Sequence, residues 1–119
     1  MKTEIIKHEW NEAAASVLRP AFGDDENIIR AQVESGICEL FEVPGAGWFI
    51  TRVEVYPDYK ELVVVALAGK NMLYLLQIAK KIQESGNVKR VRIHPINKKF
   101  YNVLERVGFV EVERVFSYG

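Results

Sequence analysis

The residue types that carry acid–base, nucleophilic or metal chemistry are few and scattered in this chain of 119 residues. No Ser/His/Asp or Cys/His set accompanies a recognisable nucleophile elbow, His8 and His94 are isolated, and no Asp, Glu and His residues share a metal-ligand spacing. No metal is therefore expected. The single cysteine, Cys38, sits in an apolar alternation and reads as a small buried hydrophobe. Charge says more. Residues 1–60 hold six Lys/Arg against eleven Asp/Glu and residues 61–119 hold ten against five, so the halves carry −5 and +5 while the whole is neutral. A basic half can face an anionic ligand, whether a phosphorylated cofactor or nucleic acid met by Lys89, Arg90, Arg92, Lys98 and Lys99. Pairs such as Lys80 and Lys81, however, are more often the wet face of a helix. The aromatic residues, among them Trp10, Trp48, Phe49, Tyr74 and Phe100, fall at core-like spacing without a surface stripe that would stack bases, so nucleic acid is not the expected partner.

The elements that must position such chemistry follow from periodicity. Thr3 to Lys7 alternates as a short strand, and Trp10 to Leu18 with its alanine triplet forms a helix that Pro20 should end. Asp24 or Asp25 offers a side-chain oxygen to cap a helix over Asn27 to Val33, with Gly36 as its stop. From Ile37 to Val43 the period switches to two. Pro44, Gly45 and Gly47 double the chain back into a strand over Trp48 to Val55, and Tyr56, Pro57 and Asp58 turn it again. Glu61 to Leu67 is rich in β-branched residues, as a central strand covered on both faces would be, and the three strands make an antiparallel meander.

Gly69 then turns sharply and Asn71 caps a helix over Met72 to Gln83. Its apolar positions Met72, Leu75, Leu76, Ala79 and Ile82 recur at helical spacing, while Lys80, Lys81 and Glu84 stay wet. Leu76 and Ile82, with Val64 and Ala66 on the preceding strand, should be almost wholly buried. Gly86 ends the helix and Val88 to Ile93 returns as a strand parallel to Glu61 to Leu67, because a helix-length right-handed crossover makes such neighbours. Asn97 starts a last helix running to Arg106, and Phe109 to Phe116 is a final strand. The whole is an α/β (α+β) pattern: a mixed sheet with helices on both faces, in one domain spanning residues 1–119. With 49% hydrophobic and 27% charged residues, no apolar run of membrane-spanning length and no apolar signal core, the expected place is the cytoplasm.

This order of elements and the ending HPINKKFYNVLERVGFVEV resemble the GNAT superfamily of N-acetyltransferases. The likeness is most specific at His94, Pro95, Asn97, Gly108 and Phe109, where short acetyltransferases show a similar histidine-proline, asparagine and glycine-phenylalanine arrangement. Short members encoded by bacteriophages and prophages look closest. The resemblance implies an acyl-CoA N-acyltransferase-like fold that holds acetyl-CoA or CoA between a splayed pair of strands. The cofactor's pyrophosphate would lie at the start of the central helix, whose open N–H donors and dipole favour an anion. The cofactor-binding residues it implies are Leu67, Ala68, Gly69, Lys70, Asn71, Met72 and Leu73, with Asn97 at the motif asparagine. The family's loop has Gln or Arg, two free positions, Gly, one free position, then Gly or Ala. Here those three places hold Ala68, Asn71 and Leu73, which crowd the backbone approach that a phosphate needs.

For catalysis the resemblance implies a carboxylate on the central strand that takes a proton from the acceptor amine, a place held by Glu61. An exposed strand-end glutamate is the plainer reading of that residue. The family's thiolate-protonating tyrosine falls at Leu104. Tyr101, one turn earlier on roughly the same face, is the candidate to replace it. Three readings follow: an acetyl-CoA-dependent N-acetyltransferase acting on an amine acceptor; a catalytically silent member of the fold, of phage or prophage type, working through a protein partner; and a nucleic-acid binder. None involves a membrane. Binding of CoA separates the first from the second, and a salt-dependent shift assay exposes the third.

Overall fold

Apolar alternation broken only by turn residues produces the expected meander. A computed structural model describes residues 4–86, 88–93, 100–112 and 115–118. Its strands are β1 (Ile6–His8), β2 (Glu39–Val43), β3 (Gly47–Val55), β4 (Lys60–Gly69), β5 (Arg90–Ile93), β6 (Val110–Val112) and β7 (Val115–Tyr118). The helices are α1 (Glu12–Phe22), α2 (Glu26–Glu34), α3 (Met72–Glu84) and α4 (Phe100–Val107). The strands form one mixed sheet in the order β1-β2-β3-β4-β5-β7-β6. β1 to β4 are antiparallel neighbours, and β4 runs parallel to β5 through α3. No helix among the described residues is long and apolar enough to cross a membrane.

Each face of the sheet carries a helix layer. Ala14, Leu18 and Phe22 of α1 and Ile29 of α2 pack with Cys38, Leu40, Ile50 and Ala66. On the other face Leu76 and Ala79 of α3 and Leu104 and Val107 of α4 meet Leu62, Val64, Val91 and Ile93. Leu76 and Val64 are buried as expected, and so is Ala66, but Ile82 is only partly buried at the margin of the α3 cluster. Cys38 is buried, and burial pushes its thiol pKa up. Because the thiolate is the reactive form, native Cys38 will react with a thiol reagent far more slowly than a free thiol and reach the free rate in denaturing urea. A native rate equal to the unfolded rate would contradict its placement.

Four expectations need correction. Pro20 does not end α1; it sits within the last turn, because Phe22 two residues on is buried and stacks on Trp10 with ring centroids 5.7 Å apart. That packing outweighs the hydrogen bond that proline removes. Asp25 stands at the N-cap of α2 but makes no side-chain cap bond. The first strand lies at Ile6–His8 rather than Thr3 to Lys7, and Thr3 is outside the described residues. Finally, the expected single strand Phe109 to Phe116 is two strands: β7 folds back to pair antiparallel with both β5 and β6. The hairpin supplies β5 with a neighbour and leaves the short β6 at that edge of the sheet, where unpaired backbone is a liability.

Candidate functional site

The region that the sequence marks for a cofactor is shaped by an irregularity of β4. On one side, pairing with β3 shifts register between Ile50↔Ala66 and Thr51↔Val64, which leaves Val65 as an extra residue. This bulge changes the facing of the strand. Before it, Leu62 and Val64 face α3 and α4; after it Leu67 does, while Ala66 and Ala68 turn toward α1. On its other side β4 pairs with β5 in parallel register from Glu61↔Arg90 to Val64↔Ile93 among the described residues. A bulge is a common way to re-aim a strand's groups beside a ligand site.

The strand then meets the start of α3. Gly69 faces Gly47 across the β3–β4 ladder, with φ of 157°, and a Cβ placed there would come 2.2 Å from the Ala46 carbonyl oxygen. The glycine is thus required by the close approach of two backbones. Asn71 caps α3 as expected: its Oδ1 accepts from the Tyr74 N–H at 3.1 Å. The Asn71 N–H, however, donates to the Ala46 carbonyl at 3.1 Å and is not open to a phosphate. Of the donors expected from Gly69 to Leu73, the helix geometry leaves those of Met72 and Leu73 without an intrahelical acceptor. Lys70 is exposed beside them, and the Leu73 side chain stands 44% exposed at the same helix end. Leu67 and Ala68 are partly buried, each packed against a core cluster.

Glu61 departs furthest from its plainer reading, for it is not exposed: its side chain is 3% accessible. Register places it between Glu54 of β3 and Arg90 of β5. Its Oε2 lies 3.7 Å from both Arg90 Nη1 and Arg92 Nε. Among the described residues, this oxygen and Arg92 Nε are buried without a hydrogen-bond partner. The neighbouring Glu54 is saturated by contrast. It accepts from Arg52 Nη2 at 3.0 Å, Arg92 Nη2 at 3.1 Å and the Tyr56 hydroxyl at 2.7 Å. The Tyr56 and Arg52 hydrogen bonds hold the Glu54 carboxyl below the usual carboxylate range, and the bond to Glu54 pushes the Tyr56 phenol up to about 12.

On β5, Arg92 is thus hydrogen-bonded to Glu54 while Arg90 reaches Glu61 only at 3.7 Å, and Lys89 lies over the Tyr59 ring at 4.9 Å. His8 is not isolated in space, since its Nε2 is 2.9 Å from Glu42 Oε1. Leu104, at the family's tyrosine position, is a core residue beside Leu76. Tyr101 lies on α4, but its side chain is outside the described residues, as are His94, Pro95, Asn97, Lys98 and Lys99. The sequence did not flag Val65, Arg52 or Glu54. Only the spacing of Arg90 and Arg92 on β5, opposite Glu61 on β4, carried a signal, and it needed the parallel register to be read.

No family model and no curated protein sequence matches the chain. Solved structures do resemble it in shape. A probable acetyltransferase superposes with a TM-score of 0.64 at 14% identity, over 92% of this chain and 91% of that one. AtaT complexed with acetyl-methionyl-tRNAfMet gives 0.64 at 9% identity, over 98% and 94%. An AtaT mutant toxin bound to the C-terminus of the antitoxin AtaR and acetyl-CoA gives 0.54 at 8% identity, over 99% and 93%. At these identities the likeness is one of fold, and the fold is that of acyl-CoA N-acyltransferases: a mixed sheet with helices on both faces.

Proposed function

We propose that this chain is an acyl-CoA-dependent N-acetyltransferase of the GNAT type that acts on an amine. The observation that carries the reading is the acyl-CoA N-acyltransferase-like fold, with the bulge at Val65 of β4 leading to the capped helix α3. The acetyl-CoA bound by the similarly folded AtaT mutant supports acetyl-CoA as the donor, and its antitoxin segment supports a protein partner as part of the same reading. One domain over residues 1–119, working in the cytoplasm and of phage or prophage type, completes the proposal.

The residues fit a cofactor in reduced form. The backbone of Val65 to Gly69 would hold its amide arm, and the N–H groups of Met72 and Leu73 with the Lys70 ammonium would meet its phosphates. Bound acetyl-CoA supplies a thioester carbon open to attack by an amine, with the thiol as leaving group. Glu61 would take the amine proton through water: its buried Oε2 has unused lone pairs, and Glu61 lies four residues before the bulge at Val65, roughly 13 Å along the strand. Asn97 belongs to the proposed cofactor site, and Tyr101 is the proposed donor to the leaving thiol, since the buried Leu104 offers no proton.

With two helix-end donors left and the Leu73 side chain beside them, acetyl-CoA should bind with a dissociation constant of about 0.1 mM or weaker. Lys70→Glu should weaken binding by about three- to tenfold, and so should a rise from low to physiological salt, since both act on a charge near a helix end. Calorimetric titration of both proteins measures this. Absence of saturable binding at millimolar acetyl-CoA would refute the proposal, and insensitivity to Lys70 would move the phosphates elsewhere.

A further inference from the structure

We propose that the sheet face around Arg90 is an oxyanion subsite, which restricts the acceptor to an amine that also carries a carboxylate or phosphate. The assignment of this ligand to an acceptor rests on the acetyltransferase reading; the anion site itself does not. Among the described residues, Arg52, Arg90 and Arg92 share this cluster with Glu54 and Glu61, leaving one positive charge in excess. The excess is localised. Glu54 is satisfied by Arg52, Arg92 and Tyr56. Arg90 makes no hydrogen bond among the described residues, approaches Glu61 only to 3.7 Å, and is 42% exposed. Its guanidinium presents a fork of N–H groups whose geometry matches a carboxylate or phosphate edge.

The second observation comes from beneath. Glu61 Oε2 and Arg92 Nε, 3.7 Å apart, are both buried and unbonded among the described residues. An orphaned buried donor and acceptor side by side are costly unless something with both a donor and an acceptor completes them. An acceptor bearing an ammonium and an oxyanion does so in the polarity present here: the ammonium toward Glu61, the oxyanion toward Arg90 and Arg92. α1 and α2 pack on the same face at Cys38, Leu40, Ile50 and Ala66. The charged cluster also lies on the parallel β4–β5 pair, on the strand that carries the Val65 bulge.

The test is an NMR titration of the wild-type protein with inorganic phosphate and, separately, with acetate, following the guanidinium Nε–Hε signals of Arg90 and Arg92. Saturable shifts are expected with at least one anion, and the tighter of the two identifies phosphate or carboxylate as the acceptor's group. Arg90→Gln should weaken that binding at least about tenfold, and Arg90→Lys should restore charge but not the fork and so recover only part of it. Methylammonium chloride controls for ionic strength. Shifts that rise linearly with salt, or binding unchanged in Arg90→Gln, overturn the subsite. Acetyl-CoA shifts measured on the same samples keep the two ideas apart: anion binding lost with acetyl-CoA binding intact refutes only the subsite, and anion binding without acetyl-CoA binding refutes only the acetyltransferase.

Discussion

Leu76→Ala lowers the free energy of unfolding by about 2–5 kcal/mol, the range for removing a large aliphatic side chain from a packed core. Leu76 is fully buried where α3 meets the sheet, among Leu62, Val64, Val91, Ile93 and Leu104. It lines a small apolar cavity with Phe49, Thr51 and Ile82, so collapse around the truncated side chain has little help from polar groups or water. Because a small domain is stable by only about 5–15 kcal/mol, the variant should show a clearly lowered urea midpoint at an unchanged slope. A loss below about 1 kcal/mol would show that α3 presents a different face to the sheet.

Gly69→Ala should cost about 2–4 kcal/mol although it adds a single methyl group. The methyl carbon would fall within 2.4 Å of the Gly47 Cα as well as against the Ala46 carbonyl, and these are backbone atoms with no rotamer to yield. The positive φ adds strain for any residue with a Cβ. Gly47→Ala meets the mirror of the same contact, 2.4 Å from the Ala68 carbonyl oxygen. Each single change forces the strand ends apart, so the second should cost less in a background that already carries the first. Urea unfolding of both singles and the double measures this coupling, and strictly additive losses would contradict the shared contact.

The architecture was largely legible before any coordinates, and the reason is local. Period-two alternation in β2 and β3, the β-branched run of β4, and the Asn71-capped amphipathic α3 each announce themselves within a dozen residues, and a helix-length crossover then makes β4 and β5 parallel. The terminal hairpin was missed because alternation from Phe109 to Phe116 suits one long strand as well as two short ones, and only the need of β5 for a neighbour decides between them. Pro20 misled for the complementary reason: a breaker rule lost to the burial of Phe22.

The site was less legible because its chemistry is made by long-range register. VVVALA gives no sign that Val65 is the extra residue. Glu61 reads as a wet strand end until Arg90 and Arg92, about thirty positions on, come beside it through the parallel pairing. The consumption of the Asn71 N–H by Ala46 likewise needs the β2–β3 turn to be in place. What the sequence did disclose was the reduced glycine content of the loop, and the helix start in the structure bears its mark in the exposed Leu73 and the occupied Asn71.

The most direct measurement is an acetyl-CoA titration followed by backbone amide chemical shifts in the unmodified protein and in the Asn71→Gly, Leu73→Gly double variant. Saturable shifts should concentrate in β4 from its bulge onward and in the start of α3, from Val65 to Leu73. The double variant should bind more tightly despite losing about 1 kcal/mol of helix stability per glycine, because it clears the Leu73 side chain from the donors that remain. Shifts centred outside Val65–Leu73, or no saturable shift in either protein, would contradict the cofactor site between β4 and β5.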